Sequence, residues 1–256
     1  GQVARVSIEQ DYLSASGELR YAGELNRGNT AISASITYGH DRIDPKLFHP
    51  DDAGRWPASH DRVTAMIAVR QLLGARTDVS FGVGGGVQRG ALQSPYRRAS
   101  VLEGFGAFAS YHDHAERHPG TRGRFTGFGG LSRYLGRGAA LHLRLGGYAD
   151  TWRVLALTPE ISLVFELGRR VLLSIGYRYY VQSSASFYQP RYAAMTALRS
   201  GDRRLGSLDE HVPGVELRWT IAGEPARAGA LEVVASYQLS RLRYWRLDTA
   251  VLSHQP

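Results

Sequence analysis

The stretch "YHDHAERH" (111–118) carries His112, Asp113, His114 and His118, imidazole and carboxylate groups of the kind that bind borderline divalent metals. A hydrated loop holds the same residues as ordinary solvated groups, and that is the expectation: no metal. "GHDRIDP" followed by "HPDD" gathers Asp41, Asp44, Asp51 and Asp52, hard oxygen donors that suit calcium, but their spacing matches no EF-hand loop. "GVGGG" (82–86) lacks the G-x-G-x-x-G dinucleotide spacing because Val87 fills the last position; its glycines read as points where a strand bends. Serines and histidines coexist, as in barrel phospholipases, yet no serine sits in a nucleophile motif with its base. The expectation is a protein that is not an enzyme, with no catalytic residue and no cofactor.

Composition narrows the partners. Net charge is +8, carried almost entirely by arginine, since Lys46 is the only lysine. The arginines are scattered singly, so no nucleic-acid patch is expected. With no cysteine, disulfides, zinc–thiolate sites and thiol nucleophiles are excluded. No window approaches the ~18 apolar residues of a transmembrane helix. No linker or shift in composition divides the 256 residues, and one domain over 1–256 is expected.

What must position these groups is a set of long strands. In "VLLSIGYRYYVQSS" (171–184), Val171, Leu173, Ile175, Tyr177, Tyr179 and Val181 fall on one face, while Ser174, Arg178, Tyr180 and Gln182 fall on the other. Side chains alternate faces in an extended chain, so this is a two-residue period with one apolar side. The pattern returns at 139–152, 160–167, 215–221 and 231–240, and more weakly at 13–25, 30–40, 62–73, 78–88 and 122–135. Helical periodicity is nearly absent. Short turns at 26–29, 74–77, 136–139, 168–170 and 222–229 alternate with long stretches at about 41–60, 89–120 and 185–211.

Hairpins joined by tight turns at one end and long loops at the other are the layout of an outer-membrane barrel. With Val3–Glu9 and about Arg246–His254 added, the expectation is a closed antiparallel transmembrane β-barrel of about 12 strands (range ~10–14), with periplasmic turns and extracellular loops. Leu143, Leu163, Leu173, Ile175, Leu217 and Val233 would face lipid. Glu18, Arg20, Arg70, Arg124, His142, Arg144, Glu160, Glu166, Arg178, Glu216, Arg218 and Glu232 would line the lumen. Tyr38, Tyr148, Trp152, Tyr179, Tyr244 and Trp245 fall towards the long loops, and Tyr21 and Tyr134 near the turns, where amphipathic rings mark the membrane interfaces.

Two segments carry a resemblance. "SIEQDYLSASGELRYAGELNRGNTAISASITYGHDRIDP" (7–45) and "YRYYVQSSASFYQP" (177–190) resemble the bacterial family called domain of unknown function 3570, outer-membrane β-barrel proteins. The resemblance implies a fold and a bacterial outer-membrane location, and supplies no activity. Two functions then follow from the lumen. One is a porin-like channel for small solutes, in which Arg144, Arg178 and Arg218 form a partial positive ring with a weak preference for anions. The other is a closed barrel, its lumen filled by Arg–Glu pairs, that acts as a structural scaffold or partner-binding platform. Expected partners are outer-membrane lipid and lipopolysaccharide, the barrel assembly machinery, and an outer-membrane or periplasmic protein.

Overall fold

Alternation is translated directly into strands in the computed structural model, which describes residues 1–46, 50–52, 54–223 and 230–245. The strands are β1 (Gln2–Ile8), β2 (Tyr12–Leu25), β3 (Thr30–Ile43), β4 (Ala58–Gly74), β5 (Thr77–Gly90), β6 (Arg98–Glu103) and β7 (Ser110–Ala115). They continue with β8 (Thr121–Gly136), β9 (Ala139–Asp150), β10 (Leu155–Glu166), β11 (Val171–Gln182), β12 (Leu208–Ala222), β13 (Leu231–Gln238) and β14 (Arg241–Tyr244). All but β6 and β7 form one 12-stranded sheet, β1-β2-β3-β4-β5-β8-β9-β10-β11-β12-β13, with β14 also on β12. Every pairing in it is antiparallel, and all join neighbours along the chain except β5–β8, which flanks the inserted β6–β7 hairpin, and β12–β14.

The expected strand count meets this sheet closely. β13 pairs with Gly214–Ala222 of β12 and β14 with Leu208–His211, so these two are one strand interrupted at Leu239–Ser240. The expected strand at Arg246–His254 lies outside the described residues. Among the described residues β1 and the β13–β14 edge are not paired with each other, so the sheet has two ends where a closed ring was expected. The long strands also run further than their apolar patterns. β4 begins at Ala58 and β12 at Leu208, because backbone pairing continues after the apolar alternation has stopped.

One face of this sheet is apolar from end to end. Leu19, Ile36, Phe81, Phe125, Ile175 and Trp219 lie on it, each 50–60% exposed. Registers such as Phe165↔Leu173↔Leu217↔Ala235 and Leu163↔Ile175↔Val215↔Tyr237 keep the face continuous. Leu143, Leu163, Leu173, Ile175, Leu217 and Val233 all belong to it. Strands of 12 residues span about 40 Å at ~3.3 Å each, more than a ~30 Å hydrocarbon layer needs, and the face changes character accordingly. Beyond Tyr177 and Tyr179 it runs into Pro213, His211 and Asp209. At the corresponding level of β3 and β4, Asp61 accepts from Tyr38 Oη at 2.7 Å and meets His40 at 2.8 Å.

The tight turns obey backbone chemistry. Arg137 and Gly138 have φ of 54° and 74°, the left-handed pair that a two-residue hairpin turn requires. A Cβ on Gly138 would also meet the Glu166 side chain at 3.0 Å.

The buried apolar core lies elsewhere, in the connections at the opposite end from the tight turns. Trp152, Val154, Ala185 and Leu205 form one cluster; Ala99, Val101 and Tyr192 form another. The 89–120 stretch, expected to be irregular, contains the β6–β7 hairpin. Its strands are only six residues each and are separated by Gly104 and Gly106, too short to show a period. Trp152 was expected at a membrane interface; it is buried in the loop cluster instead. Tyr148, Tyr134 and Tyr244 were expected there too, but they share the sheet's other, polar face.

Candidate functional site

Twelve strand positions were expected to share the lumen side, and the register puts them together. The row Glu18↔Thr37↔Thr64↔Gly86↔Arg124↔Asp150 crosses six strands on the polar face. Arg20, Arg70, His142, Arg144, Glu160, Glu166, Arg178, Glu216, Arg218 and Glu232 lie on that same face.

Most of their charges are engaged. Arg20 donates to Glu18 at 2.5 and 2.8 Å, and Arg70 grips Asp78 through two bonds of 3.0 and 3.1 Å. Arg178 reaches Glu210 at 3.2 Å; Arg218 reaches Glu216 at 3.2 Å and Glu232 at 3.9 Å. A planar guanidinium with a fork of donors suits this bidentate pairing. His142 pairs with Ser132 at 3.0 Å and stays exposed, as does Arg144.

The expected positive ring is broken. Arg144, Glu160 and Arg178 stand directly opposite one another on β9, β10 and β11, so a carboxylate separates the two arginines. Arg178 is level with Val212, and Arg218 with Leu172, six residues away along β12. Which arginines stand level is set by the register of the pairings, which local sequence does not carry. Phe128 also sits on this face, under the Arg144 guanidinium at 4.8 Å. Gly82, its cross-strand partner, leaves the space its ring fills.

Above this face the loops are tied across the sheet. Tyr96 donates to Asp11 in the β1–β2 turn, and the adjacent Arg97 donates to Asp202 in the β11–β12 loop. The Asp11 contact raises the Tyr96 phenol to about 12. Burial pushes the Asp202 carboxyl up, but Arg204 and Arg97 outweigh it and hold it below its ordinary value. Backbone bridges join Val101 to Tyr192 and Arg117 to Arg199. At the centre Glu116, only 1% exposed, accepts from Ser200 Oγ at 2.7 Å and from the amides of Gly201, Asp202 and Ser94 at 2.9, 3.1 and 3.3 Å. Ser200 N donates to Tyr192 Oη at 2.8 Å.

The candidate metal ligands are dispersed by this packing. His112 pairs with Ser110 at 2.8 Å, and His114 with Glu103 at 2.8 Å. His118 is wedged against Trp152 and Phe187, with ring centroids 5.2 and 5.5 Å away. Among the described residues no three His, Asp or Glu side chains gather as a metal site. Asp41 is buried beside Arg62, Ser14 (2.5 Å) and His60 (2.9 Å), and Asp52 meets Arg55 at 3.1 Å. Reasoning from sequence missed Glu116 altogether; a single acid in a mixed-charge loop carries no signal of burial.

Comparison with known proteins adds the family. No curated protein matches the chain. Among solved structures, a mutant ferric enterobactin receptor from Pseudomonas aeruginosa in complex with enterobactin is 9% identical, with a TM-score of 0.47. The alignment covers 93% of this chain and 39% of the receptor, so the chain spans about two fifths of that protein. A loop-deletion form of OmpT, an outer membrane protein of Vibrio cholerae, is 9% identical at a TM-score of 0.36, covering 94% and 91%. LpxR from Salmonella typhimurium is 11% identical at a TM-score of 0.33, covering 91% and 84%. Likeness at these scores carries no functional argument. The family model is more direct: it runs from the first strand through β13, over residues 2–240, and the chain belongs to the family described as Protein of unknown function (DUF3570).

Proposed function

We propose that the protein is a bacterial outer-membrane β-barrel whose long-loop mouth is covered by a folded cap. It acts as a closed scaffold or partner-binding platform. The observation that carries this reading is the adjacent pair Tyr96 and Arg97, bonded to Asp11 and Asp202. Seven strand steps separate β2 from β11 in the sheet order, about 34 Å in a flat sheet at ~4.8 Å per step. Two consecutive residues touch the connections beside both strands, which fits a sheet curled until its ends approach. Closing it satisfies the edge backbone groups in hydrocarbon. The exposed apolar face then contacts outer-membrane lipid, since a patch this large is rare on a soluble monomer.

In this arrangement the polar face lines the lumen, the tight turns at Arg27, Arg76, Arg137 and Arg169 are periplasmic, and the cap is extracellular. Lipopolysaccharide surrounds the cap, the assembly machinery inserts the chain, and a further protein docks on the folded surface. A second reading, a porin-like channel with weak anion preference, is favoured by the exposure of Arg144 and His142 on the lumen side.

Conductance in planar bilayers separates the two. The whole chain should give no steady current, while a variant with Arg98–Ala115 replaced by a short Gly-Ser linker should conduct. Steady current through the intact protein would overturn the capped reading in favour of the channel.

A further inference from the structure

We propose that the cap contains a binding site for an organic phosphate, held between Arg117 and Arg199. A cavity of about 520 Å³ opens there, lined by His114, Arg117, Met195, Thr196, Ala197 and Arg199. This volume suits a small organic ligand (pockets run ~300–1,000 Å³) and exceeds what a bare inorganic anion fills.

The backbone assembles the site. Arg117 N donates to Arg199 O and Arg199 N to Arg117 O, each at 2.9 Å. Residues facing each other across such an antiparallel bridge project to the same side, ~4.5–5.5 Å apart at Cβ, where like charges repel. The fold therefore sets two arginines opposite each other at one cavity wall, and a dianion between them would offset their repulsion. Arg199 is buried, its Nη1 fixed on Thr196 O at 3.0 Å. Arg117 is exposed, and its side chain makes no hydrogen bond or ion pair among the described residues.

The neighbouring acids are otherwise committed. Glu103 meets His114 at 2.8 Å, and Glu116 accepts from Ser200 and the Gly201 and Asp202 amides. Two guanidiniums match a phosphate ester in charge and geometry, while His114, held by Glu103, and the apolar Met195 and Ala197 complete the lining. The site stands apart from the lumen, so it is independent of whether the barrel conducts.

The phosphate has two sources, a soluble sugar phosphate or a lipid headgroup. Calorimetric titration of the whole chain in zwitterionic micelles with hexose 1-phosphate, against the free hexose, tests the first. Native mass spectrometry after incubation with phosphatidic acid, against phosphatidylcholine, tests the second. Binding of either phosphate probe, weakened about tenfold or more in Arg117→Gln as loss of a charged hydrogen bond implies, supports the site and names its source. Met195→Trp, which fills the cavity without altering charge, should weaken the same probe. Resistance of residues 91–120 to protease reports whether each variant keeps its cap. If neither phosphate probe binds, or if Arg117→Gln with an intact cap binds as tightly as the unmodified protein, the proposal is overturned.

Discussion

The wall of strands and the cap of loops use opposite physical strategies. In the wall, every inner strand is hydrogen-bonded to a strand on each side, while large apolar side chains such as Phe81 and Ile175 stay exposed. In the cap the backbone is irregular, yet Val101, Tyr192 and Ala185 are buried and an acid is enclosed by donors. A soluble protein unites both features in one core. Here they are separated: the wall relies on an apolar surrounding, and the cap supplies its own. The charges differ in their partners: wall arginines such as Arg20 and Arg218 pair with acids two residues away on their own strands, whereas Glu116 is sealed from solvent by donors from a distant loop.

The sharpest way to break this comparison is to charge the wall. Leu173→Arg should cost about 2–4 kcal/mol of membrane stability near the midplane. Ser174→Arg, one residue on and on the polar face, should cost far less. Refolding into bilayers measures both, and equal costs would mean that the apolar face does not meet lipid.

A smaller effect is expected from cutting the cap's knot. Glu116→Ala leaves the Ser200, Gly201 and Asp202 donors without their acceptor, at about 1.5–3 kcal/mol for a hydrogen bond to a charged group. Hydrogen exchange should speed up in 91–120 and 183–207 while β8–β11 amides stay protected. Loss of protection in both regions together would show that wall and cap unfold as one unit.

Acid should loosen the cap more gently. Burial against Trp152 and Phe187 holds the His118 imidazole below its ordinary value of about 6.5, an effect only partly countered by Glu116, Leu92 O and Asp202, and reinforced by Arg122. The folded cap thus prefers the neutral ring, and the opened cap takes up a proton first. His118's contribution is complete above about pH 6.5 and falls as pH drops towards the lower folded value. Protease nicking of 91–120 should rise across that window. His118→Phe should remove its part of this dependence; an unchanged profile would assign the acid response to another group.

The weakest expected effect concerns ions in the capless variant. Because Glu160 lies between Arg144 and Arg178, anion preference should be slight, reduced further by Arg178→Ser and by added salt. Reversal potentials measure it, and a cation preference would rule out the arginines as its source.

The polar–apolar alternation alone predicted ten of the strands and the face on which each charged candidate sits; β1 followed from the alternation of short and long connections. This works because side-chain direction in a strand follows from parity, a local property. Family membership was legible for a similar reason, in contiguous motifs such as DYLS and DRIDP.

Parity is silent about height. That Arg144 and Arg178 stand level with Glu160 between them, and Arg218 does not, depends on register fixed by whole strands pairing. The cap was hidden for a further reason. Its contacts join Tyr96 to Asp11 and Glu116 to Ser200, separations of 85 and 84 residues. A six-residue strand and one acidic side chain carry too little local pattern to announce such partners. Sequence determined which side of the wall each residue occupies, because that needs only its neighbours. Tertiary structure decided which charges meet and which loops pack together, because those depend on residues brought together from distant parts of the chain.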